Sequence, residues 1–340
     1  MDEFDLIRRY FAPLADSAPG SLGLRDDAAL LAPPAGETLV LTLDTLVAGV
    51  HYLPDDPPES IARKLLRVNL SDLAAMGARP LGYLLSVSLP GAPDAAWLAG
   101  FAEGLRADQA RFGLALLGGD TTGTPGPASL SATLLGTVPA GRALCRGGAS
   151  PGEGVYVSGS LGEATVGLAL AQGSLPVLAA ASVESDTPGI PAAAAAELIA
   201  RYRCPEPRLA LGRALLESGL ATAAVDVSDG LAADLGHLVA PAGLGATVAV
   251  NAVPLSTPLC QLVAHDPAWW PRFVTGGDDY ELLFTVPSER AGEVAALAER
   301  LGLPLTRIGT VESEPGVRLH DAHGGELALA QRGWSHFDRD

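Results

Sequence analysis

Cysteine is scarce in this chain of 340 residues, which has three, at Cys145, Cys204 and Cys260. An odd number of distant cysteines with no CxxC spacing argues against a disulfide framework and against a thiolate zinc site. Basic residues are also few, with 22 Lys and Arg against 39 Asp and Glu. The resulting formal net charge of -17 disfavours nucleic acid as a partner, because a phosphate backbone is bound by clustered Lys and Arg.

Long apolar runs are missing as well. The amino terminus has neither the basic start nor the apolar core of a signal peptide, and the longest uncharged stretches are interrupted by prolines. No membrane span is therefore expected, and we expect a cytoplasmic protein that does not bind membranes. A hydrophobic fraction of 48% nevertheless provides enough apolar side chains for hydrophobic cores.

Strand-like and helix-like segments alternate along the chain. The first half predicts helices near 3–15, 57–77 and 94–111, and strands near 38–43, 81–89, 114–117 and 129–138. The second half predicts strands near 155–158, 223–227, 246–250, 280–286 and 306–311, with helices between them that include one starting near Asp229 and one at 288–301. This alternation indicates an α/β or α+β protein whose sheets are covered by helices. A loop of small residues follows Arg146, and we place the boundary of two domains there, giving domains 1–146 and 147–340.

What the chain does contain is a series of short acidic blocks, most of them beside glycine. In chain order they are Arg25-Asp26-Asp27, Leu43-Asp44-Thr45, Gly118-Gly119-Asp120, Asp226-Val227-Ser228-Asp229-Gly230 and Gly276-Gly277-Asp278-Asp279. Isolated aspartates in such places usually cap helices or make turns. Several blocks spread over most of the chain instead indicate carboxylates gathered around hard cations. Mg²⁺ prefers such oxygen ligands and in turn suits polyphosphate.

Three positions carry most of this interpretation. Asp72 lies on an apolar face of the predicted helix 57–77, where an unpaired carboxylate would be costly. Asp226 ends an apolar strand and needs a partner for the same reason. We interpret Gly118-Gly119-Asp120 as a turn at a strand end, whose backbone N–H groups could approach phosphate while Asp120 holds its metal.

Each candidate also has an ordinary structural explanation. Asp229 could be the cap of the following helix, and the Gly118-Gly119 block could be a plain hairpin turn. Asp72 could pair with a nearby Arg or Lys, and His51 and Trp334 could simply pack in the core. The sequence contains no evident Ser-His-Asp or Cys-His arrangement, so no general base and no covalent nucleophile are predicted.

In this order and spacing, the blocks resemble the thiamine-monophosphate kinase family over nearly the whole chain. The strings that carry the resemblance are DDAAL (26–30), DTLVAGVH (44–51), VNLSDLAAMGA (68–78), GGDTT (118–122), GRAL (141–144), DVSDGL (226–231) and GGDDYEL (276–282). The resemblance extends to a larger group with aminoimidazole-ribonucleotide synthetase, selenophosphate synthetase and a hydrogenase-maturation protein. It implies a two-domain α/β (α+β) fold of the aminoimidazole-ribonucleotide synthetase type. An N-terminal sheet domain would form a homodimer, and a C-terminal α/β domain would complete the active site.

The resemblance also implies roles for individual residues. Ligands of several Mg²⁺ ions would be Asp27, Thr42, Asp44, Asp72, Asp120, Asp226 and Asp229. ATP would be contacted by Gly119, Asp120, Arg146 and Ser228, and the second substrate by His51, Asp278 and Trp334. Two positions depart from the family pattern. Leu43 stands where threonine is frequent, so a metal contact there would come from the backbone. Asp278 stands where glutamate is common, and its shorter arm is expected to reach its ligand through water.

The expected reaction is the ATP-dependent phosphorylation of thiamine monophosphate to thiamine diphosphate, the last step in making that cofactor. We expect direct in-line transfer of the γ-phosphoryl group, assisted by several Mg²⁺ ions. The second ionisation of the acceptor phosphate lies near pH 6, so the acceptor is already a nucleophile at neutral pH. Two alternatives stay open from the residues alone. One is a sister ATP-dependent enzyme such as aminoimidazole-ribonucleotide synthetase, and the other is a non-catalytic scaffold that binds metal or nucleotide.

Overall fold

The structure is a computed structural model that describes residues 3–91, 94–178 and 189–337. The chain divides into two compact units. The first unit consists of Met1–Leu73 with Ala78–Ala143, and the second of Ala74–Gly77 with Leu144–Asp340. The boundary that the sequence predicts after residue 146 lies close to this division. No helix in the described ranges is long and apolar enough to span a membrane.

The first unit is built around a four-stranded sheet. Its helices and strands are α1 (Glu3–Leu6), a π-helical turn (Ile7–Phe11), 3-10 turns (Ala12–Leu14 and Pro19–Leu24), β1 (Glu37–Val47), α2 (Pro58–Ala75), β2 (Arg79–Pro90), α3 (Ala95–Phe112), β3 (Ala115–Thr124) and β4 (Ser129–Pro139). The strand order is β1-β4-β2-β3, with β2 and β3 parallel and the other neighbours antiparallel. Helices α2 and α3 meet closely at Gly104, where a Cβ atom would lie 2.3 Å from the Glu59 carbonyl oxygen.

Two predictions for the first unit are wrong. Asp44 lies inside β1, which continues to Val47, because β4 supplies pairing partners along its whole length. Gly118, Gly119 and Asp120 form part of β3 rather than a turn. They pair with Leu84, Leu85 and Ser86 of β2. Gly119 is needed for this close approach, since a Cβ atom on it would lie 2.0 Å from the Leu85 carbonyl oxygen.

The second unit is built around a six-stranded sheet of order β12-β9-β11-β5-β10-β8. Its strands are β5 (Gly154–Ser158), β6 (Val177–Leu178), β7 (Ile190–Pro191), β8 (Ala223–Asp226), β9 (Gly245–Ala249), β10 (Leu282–Val286), β11 (Leu305–Glu312) and β12 (Gly316–His320), of which β6 and β7 pair only with each other. Its helices are α4 (Glu163–Ala171), α5 (Ala192–Arg203), α6 (Leu209–Ser218), α7 (Leu231–Val239), α8 (Thr257–His265), α9 (Trp269–Thr275) and α10 (Ala291–Leu301), with 3-10 turns at Ala240–Ala242, Val250–Ala252 and Ser288–Arg290.

Two apolar cores stabilise this unit. One joins the inner residues of the sheet to α7, with Val225, Leu235 and Leu283 at its centre. The other joins α4, α5, α8 and α9 around Val166 and Phe273. The two cores together hold the chain on both sides of 226–230 and 276–279, the segments that carry the acidic blocks of this unit.

In the second unit, two boundaries differ from the sequence prediction and two helices are additional to it. The helix near Asp229 begins at Leu231, after Gly230, which takes the cap position with a φ of 115°. The strand near Tyr280 begins at Leu282, because Tyr280 is in the left-handed region with a φ of 50°. Helices α8 and α9 are not part of the sequence prediction. Pro258 lies in the first turn of its helix, where its missing N–H costs nothing.

Candidate active site

One group of candidates lies on β1 and α2 in the first unit. Residues two apart in a strand point to the same side, so Thr42 and Asp44 both face α2. Thr42 Oγ1 donates to Asp72 Oδ2 at 2.5 Å. The Asp44 N–H donates to the Asn69 side-chain oxygen at 3.0 Å. Regular strand and helix geometry therefore places four oxygen-bearing side chains on facing elements.

The neighbouring turn presents His51. The Val47 N–H donates to His51 Nδ1 at 3.0 Å, so this nitrogen acts as an acceptor and the ring proton is on Nε2. Lys64, the only lysine in the chain, is 1% exposed and donates to the His51 carbonyl oxygen at 2.9 Å. A buried cation thus holds the backbone of a predicted substrate contact.

A second group in the first unit borders a pocket of about 440 Å³. Asp27, Gly119 and Asp120 lie on its wall together with many apolar side chains, among them Phe11, Leu84, Leu85, Leu116, Leu117 and Leu135. Asp27 and Asp120 are both exposed. The structure therefore brings these two predicted ligands to one concave surface, beside a predicted ATP contact.

In the second unit, the loop 226–230 carries Asp226, Ser228 and Asp229. Asp226 is the last residue of β8, is 3% exposed and pairs with Leu282. The three backbone N–H groups that follow Val227 all donate to a single oxygen, Oδ2 of Asp234. The distances are 3.0 Å for Ser228, 3.0 Å for Asp229 and 3.1 Å for Gly230. The loop amides therefore face Asp234, a residue that the sequence analysis did not single out.

Burial dominates the electrostatics of this loop. It raises the pKa of Asp234 to about 7, against the opposing effect of the three N–H hydrogen bonds. Burial also raises the pKa of Asp229, which the charge of Asp278 raises further and the charges of Arg146 and nearby histidines lower. Asp229, Asp278 and Arg146 are thus close enough to influence one another electrostatically.

Two further candidates are attached to the same loop by backbone hydrogen bonds. The Asp278 N–H donates to the Ser228 carbonyl oxygen at 2.9 Å, and the Trp334 N–H donates to that of Asp229 at 3.0 Å. Asp278 has a φ of 71°, and a hydrogen bond from the Tyr280 hydroxyl reaches its carboxylate at 3.3 Å. Trp334 is 50% exposed, which excludes a role as a core residue.

The other two acids of the 276–282 block serve the fold. Asp279 accepts hydrogen bonds from the N–H groups of Gly162 and Ala164 at the start of α4, at 2.7 and 3.3 Å. Glu281 forms an ion pair with Arg208 and accepts a hydrogen bond from Ser158. Burial raises the pKa of both carboxyls. Within this block, Asp278 is the acid left for a substrate role.

The candidate ligands fit Mg²⁺ in their chemistry. All seven are carboxylate or hydroxyl oxygens, with Thr42, Asp44 and Asp72 on facing elements, Asp27 and Asp120 on one pocket wall, and Asp226 and Asp229 three residues apart. Across the described residues, no three His, Cys, Asp or Glu side chains form a ready-made metal cluster. Mg²⁺ does not require one, because it is usually bound by one or two carboxylates together with water and substrate phosphates.

Comparison with known proteins is consistent with these features. The family model for the N-terminal domain of AIR synthase related protein matches residues 25–138, and that for the C-terminal domain matches residues 150–322. The thiamine-monophosphate kinase of Salmonella typhimurium is 42% identical over 98% of each chain. The chain belongs to the thiamine-monophosphate kinase family.

Solved structures of family members agree. Thiamine-monophosphate kinase from Stenotrophomonas maltophilia K279a is 44% identical, with a TM-score of 0.79 over 94% of this chain and 96% of the other. AaThiL complexed with AMPPCP and TMP is 30% identical, with a TM-score of 0.73 over 92% and 91%. The predicted family, the two-domain fold class and the enzyme class, thiamine-phosphate kinase, are thereby confirmed.

Sequence reasoning missed the residues that support this kinase site. Asp234 lies in the first turn of α7, four residues after the cap residue Gly230, which is one position beyond the usual capping acid. The sequence pattern therefore did not mark it. Lys64 gave no signal either, because the backbone carbonyl to which it donates is thirteen residues away.

Proposed function

We propose that this protein transfers the γ-phosphoryl group of ATP to thiamine monophosphate, giving thiamine diphosphate and ADP. The main support is the likeness, over more than nine-tenths of both chains, to AaThiL complexed with AMPPCP and TMP. AMPPCP is an ATP analogue, so that relative holds stand-ins for both reactants. The relatives named thiamine-monophosphate kinase, with identities that include 42% and 44%, favour this reaction over that of a sister synthetase.

Seven residues of this chain would hold Mg²⁺, in keeping with their oxygen chemistry. They are Asp27, Thr42, Asp44, Asp72, Asp120, Asp226 and Asp229. Several bound Mg²⁺ ions would neutralise the negative charge of the triphosphate and of the acceptor phosphate. The six carboxylates among these ligands add negative charge of their own, so the neutralisation would come from the ions.

The remaining candidates would contact the two substrates. ATP would be bound by Gly119, Asp120, Arg146 and Ser228, and because the Ser228 N–H donates to Asp234, its contact would come from the hydroxyl. His51, Asp278 and Trp334 would bind thiamine monophosphate. The half-exposed Trp334 ring is suited to stacking on a heterocycle. Leu43 would offer only its backbone, and Asp278 would reach its ligand through water.

The transfer would be direct and in line. An oxygen of the acceptor phosphate forms a bond to the γ-phosphorus, while the bond from that phosphorus to the β,γ-bridging oxygen breaks and ADP leaves. No general base is required, since the acceptor is largely ionised at neutral pH. No phosphoenzyme forms on this route.

The proposed assembly is a homodimer formed by the N-terminal domain, and exposed leucines support it. Leu43 and Leu84 both pair with Thr133 of β4, so they lie in one row on the same face of the sheet. They are 61% and 41% exposed, and Leu41 on the same strand is 61% exposed. Exposed apolar patches of this kind commonly mark protein interfaces.

Sedimentation equilibrium tests the dimer. Leu43→Glu combined with Leu84→Glu should convert a dimeric parent to a monomer, whereas Val177→Glu, at an exposed apolar residue of the second unit, should not. A monomeric parent, or a double variant that stays dimeric, would contradict the proposal. The cytoplasmic location and the roles assigned to domains 1–146 and 147–340 stay predictions.

The function is tested by incubating the protein with Mg²⁺, thiamine monophosphate and ATP labelled with ³²P at the γ position. Label should appear in the terminal phosphate of thiamine diphosphate, separated by chromatography, and not in the protein. A panel of other acceptors, scored by ADP release, tests for a sister synthetase. Nucleotide binding without turnover would indicate a scaffold, and acid-stable or base-stable labelled protein would contradict direct transfer.

A further inference from the structure

The loop 226–230 is organised around one buried side chain. Asp234 is 2% exposed, and its Oδ2 atom accepts hydrogen bonds from three consecutive N–H groups, at 3.0 to 3.1 Å. The bonding is reciprocal, because the Asp234 N–H donates to the Gly230 carbonyl oxygen at 3.0 Å. Gly230 itself adopts a φ of 115°, a conformation that side-chain-bearing residues rarely adopt.

This arrangement determines what the loop can present to a ligand. With its amides directed at Asp234, the loop cannot serve as a cradle of N–H groups for phosphate. The chemistry that the loop itself can present consists of the side-chain oxygens of Ser228 and Asp229. A negatively charged phosphate would meet such oxygens favourably only with cations between them.

The carbonyl groups of the same loop support two other segments. Those of Val227 and Ser228 accept hydrogen bonds from Tyr280 and Asp278, at 2.8 and 2.9 Å, and that of Asp229 accepts one from Trp334 at 3.0 Å. The fit is close, since a Cβ atom on Gly277 would lie 2.3 Å from the Ser228 carbonyl oxygen. A shift of the loop would therefore move Asp278 and Trp334 with it.

We propose that Asp234 is a positioning residue that holds loop 226–230 with its oxygen-bearing side chains available to Mg²⁺ and nucleotide, and that it fixes Asp278 and Trp334 through the loop carbonyls. The roles of those ligands rest on the proposed function. Asp234 itself touches neither substrate. A carboxylate oxygen suits the task because, once ionised, it is a charged acceptor and forms stronger hydrogen bonds with N–H groups than a neutral one.

The experiment compares Asp234→Asn and Asp234→Ala with the parent in the full-length protein. Asn keeps one acceptor oxygen without the charge, and Ala removes the acceptor. The matched control is Leu297→Ala, which opens a cavity in α10 of the same unit, at a residue 5% exposed and remote in sequence from the loop. Each variant is examined for melting temperature, steady-state kinetics, Mn²⁺ affinity by electron paramagnetic resonance, and amide hydrogen exchange of the peptide containing 226–231.

We expect Asp234→Ala to lower kcat and Mn²⁺ affinity more than Asp234→Asn does, and both variants to lie below the parent. Supporting residues behind metal ligands typically contribute about 10-fold to 100-fold to activity or metal affinity, so kcat and Mn²⁺ affinity should fall by that range in Asp234→Ala. The KM values for ATP and thiamine monophosphate should rise together, and the amides of Ser228, Asp229 and Gly230 should exchange faster. Leu297→Ala should lower the melting temperature and leave kcat, Mn²⁺ affinity and loop exchange unchanged.

The proposal is overturned if both Asp234 variants keep the Mn²⁺ affinity and kcat of the parent, or change only as Leu297→Ala does. If Asp234→Ala does not fold, Asp234→Asn decides by the same measures. Metal affinity and amide exchange do not depend on turnover. A parent that lacks kinase activity, but whose loop and metal affinity respond to Asp234, would contradict the proposed function and support the positioning role.

Discussion

The two units present their candidate ligands in different ways. In the first unit, Thr42, Asp44 and Asp72 lie on a regular strand and a regular helix, and side chains bond to one another directly. In the second unit, Ser228, Asp229, Asp278 and Trp334 lie outside regular elements, at backbone positions tied together by main-chain hydrogen bonds. A side chain on a strand or helix is positioned by that element alone, whereas the loop positions are held by hydrogen bonds to one another. One substitution should therefore remove one ligand in the first unit and disturb several in the second.

The largest effect is expected from the ligands themselves. Asp72→Asn and Asp226→Asn keep side-chain size but remove the charge proposed to bind Mg²⁺. Each should lower kcat/KM by about 100-fold to 1000-fold, the usual cost of losing one preorganised electrostatic contact in a transition state. Steady-state assays with varied Mg²⁺ provide the measurement, and the exposed Asp55→Asn serves as the control. Parent-like kinetics in either variant would contradict the proposed metal role of that residue.

Alanine substitutions at two glycines compare how the strand of the first unit and the loop of the second unit respond to an added Cβ atom. An alanine Cβ would meet the Leu85 carbonyl oxygen at Gly119 and the Ser228 carbonyl oxygen at Gly277. Gly119→Ala should lower the free energy of unfolding by about 1 to 3 kcal/mol, as overpacking does, because a paired strand must move. Gly277→Ala should mainly lower activity, because a loop can shift. Gly123→Ala, with no atom within 4 Å of its Cβ position, is the control, and urea unfolding with kinetics measures all three.

Lys64 provides a test in the first unit, because there a side chain holds the backbone of the turn that carries His51. Lys64→Met keeps the apolar stem and removes the donor to the His51 carbonyl oxygen. The KM for thiamine monophosphate should rise by up to about 10-fold, equivalent to about 1.4 kcal/mol, with a smaller change for ATP. Arg63, the neighbour of Lys64 on α2, contacts Asp108 of α3, and Arg63→Met should not separate the two KM values. Equal changes for both substrates would argue against a substrate role for His51.

The smallest effect concerns pH and the backbone support of the second unit. Burial raises the pKa of Asp279 well above its ordinary value. Such a carboxyl binds its proton more tightly in the folded protein, so it favours folding below its ordinary pKa, and that contribution is lost as pH rises through the folded-state pKa. The free energy of unfolding of the parent relative to Asp279→Asn should therefore fall with rising pH, by at most about 1.4 kcal/mol per unit.

Chemical denaturation at a series of pH values from about 4.5 upwards measures this slope. The free energy of unfolding of Asp55→Asn, a change at an exposed aspartate, should vary with pH in the same way as that of the parent. A stability difference that grows as pH rises would reverse the sign and show that Asp279 is stabilised in its charged form.

Most of the secondary structure followed from apolar periodicity, and its errors have a common cause. The sequence indicated a turn at Gly118-Gly119, because glycine usually interrupts regular structure, and it predicted no helix at Thr257–His265 or Trp269–Thr275, both of which contain proline. Pairing with β2 and positions in first helical turns removed those constraints. Similarly, the sequence grouped Asp278, Asp279 and Glu281 as one acidic block. In the structure, Asp279 bonds to the start of α4 and Glu281 pairs with Arg208. These two acids serve the fold, and Asp278 stays the candidate ligand.

The sequence by itself indicated the class of chemistry, because its widely spaced Asp-rich strings supply oxygen atoms of the kind that Mg²⁺ prefers. It also determined the family, since those strings keep their order along the chain. Only the tertiary structure decided which N–H group meets which oxygen. Asp234 and Lys64 hold their partners through backbone atoms, and backbone atoms are identical at every residue, so no pattern of side chains can announce such contacts.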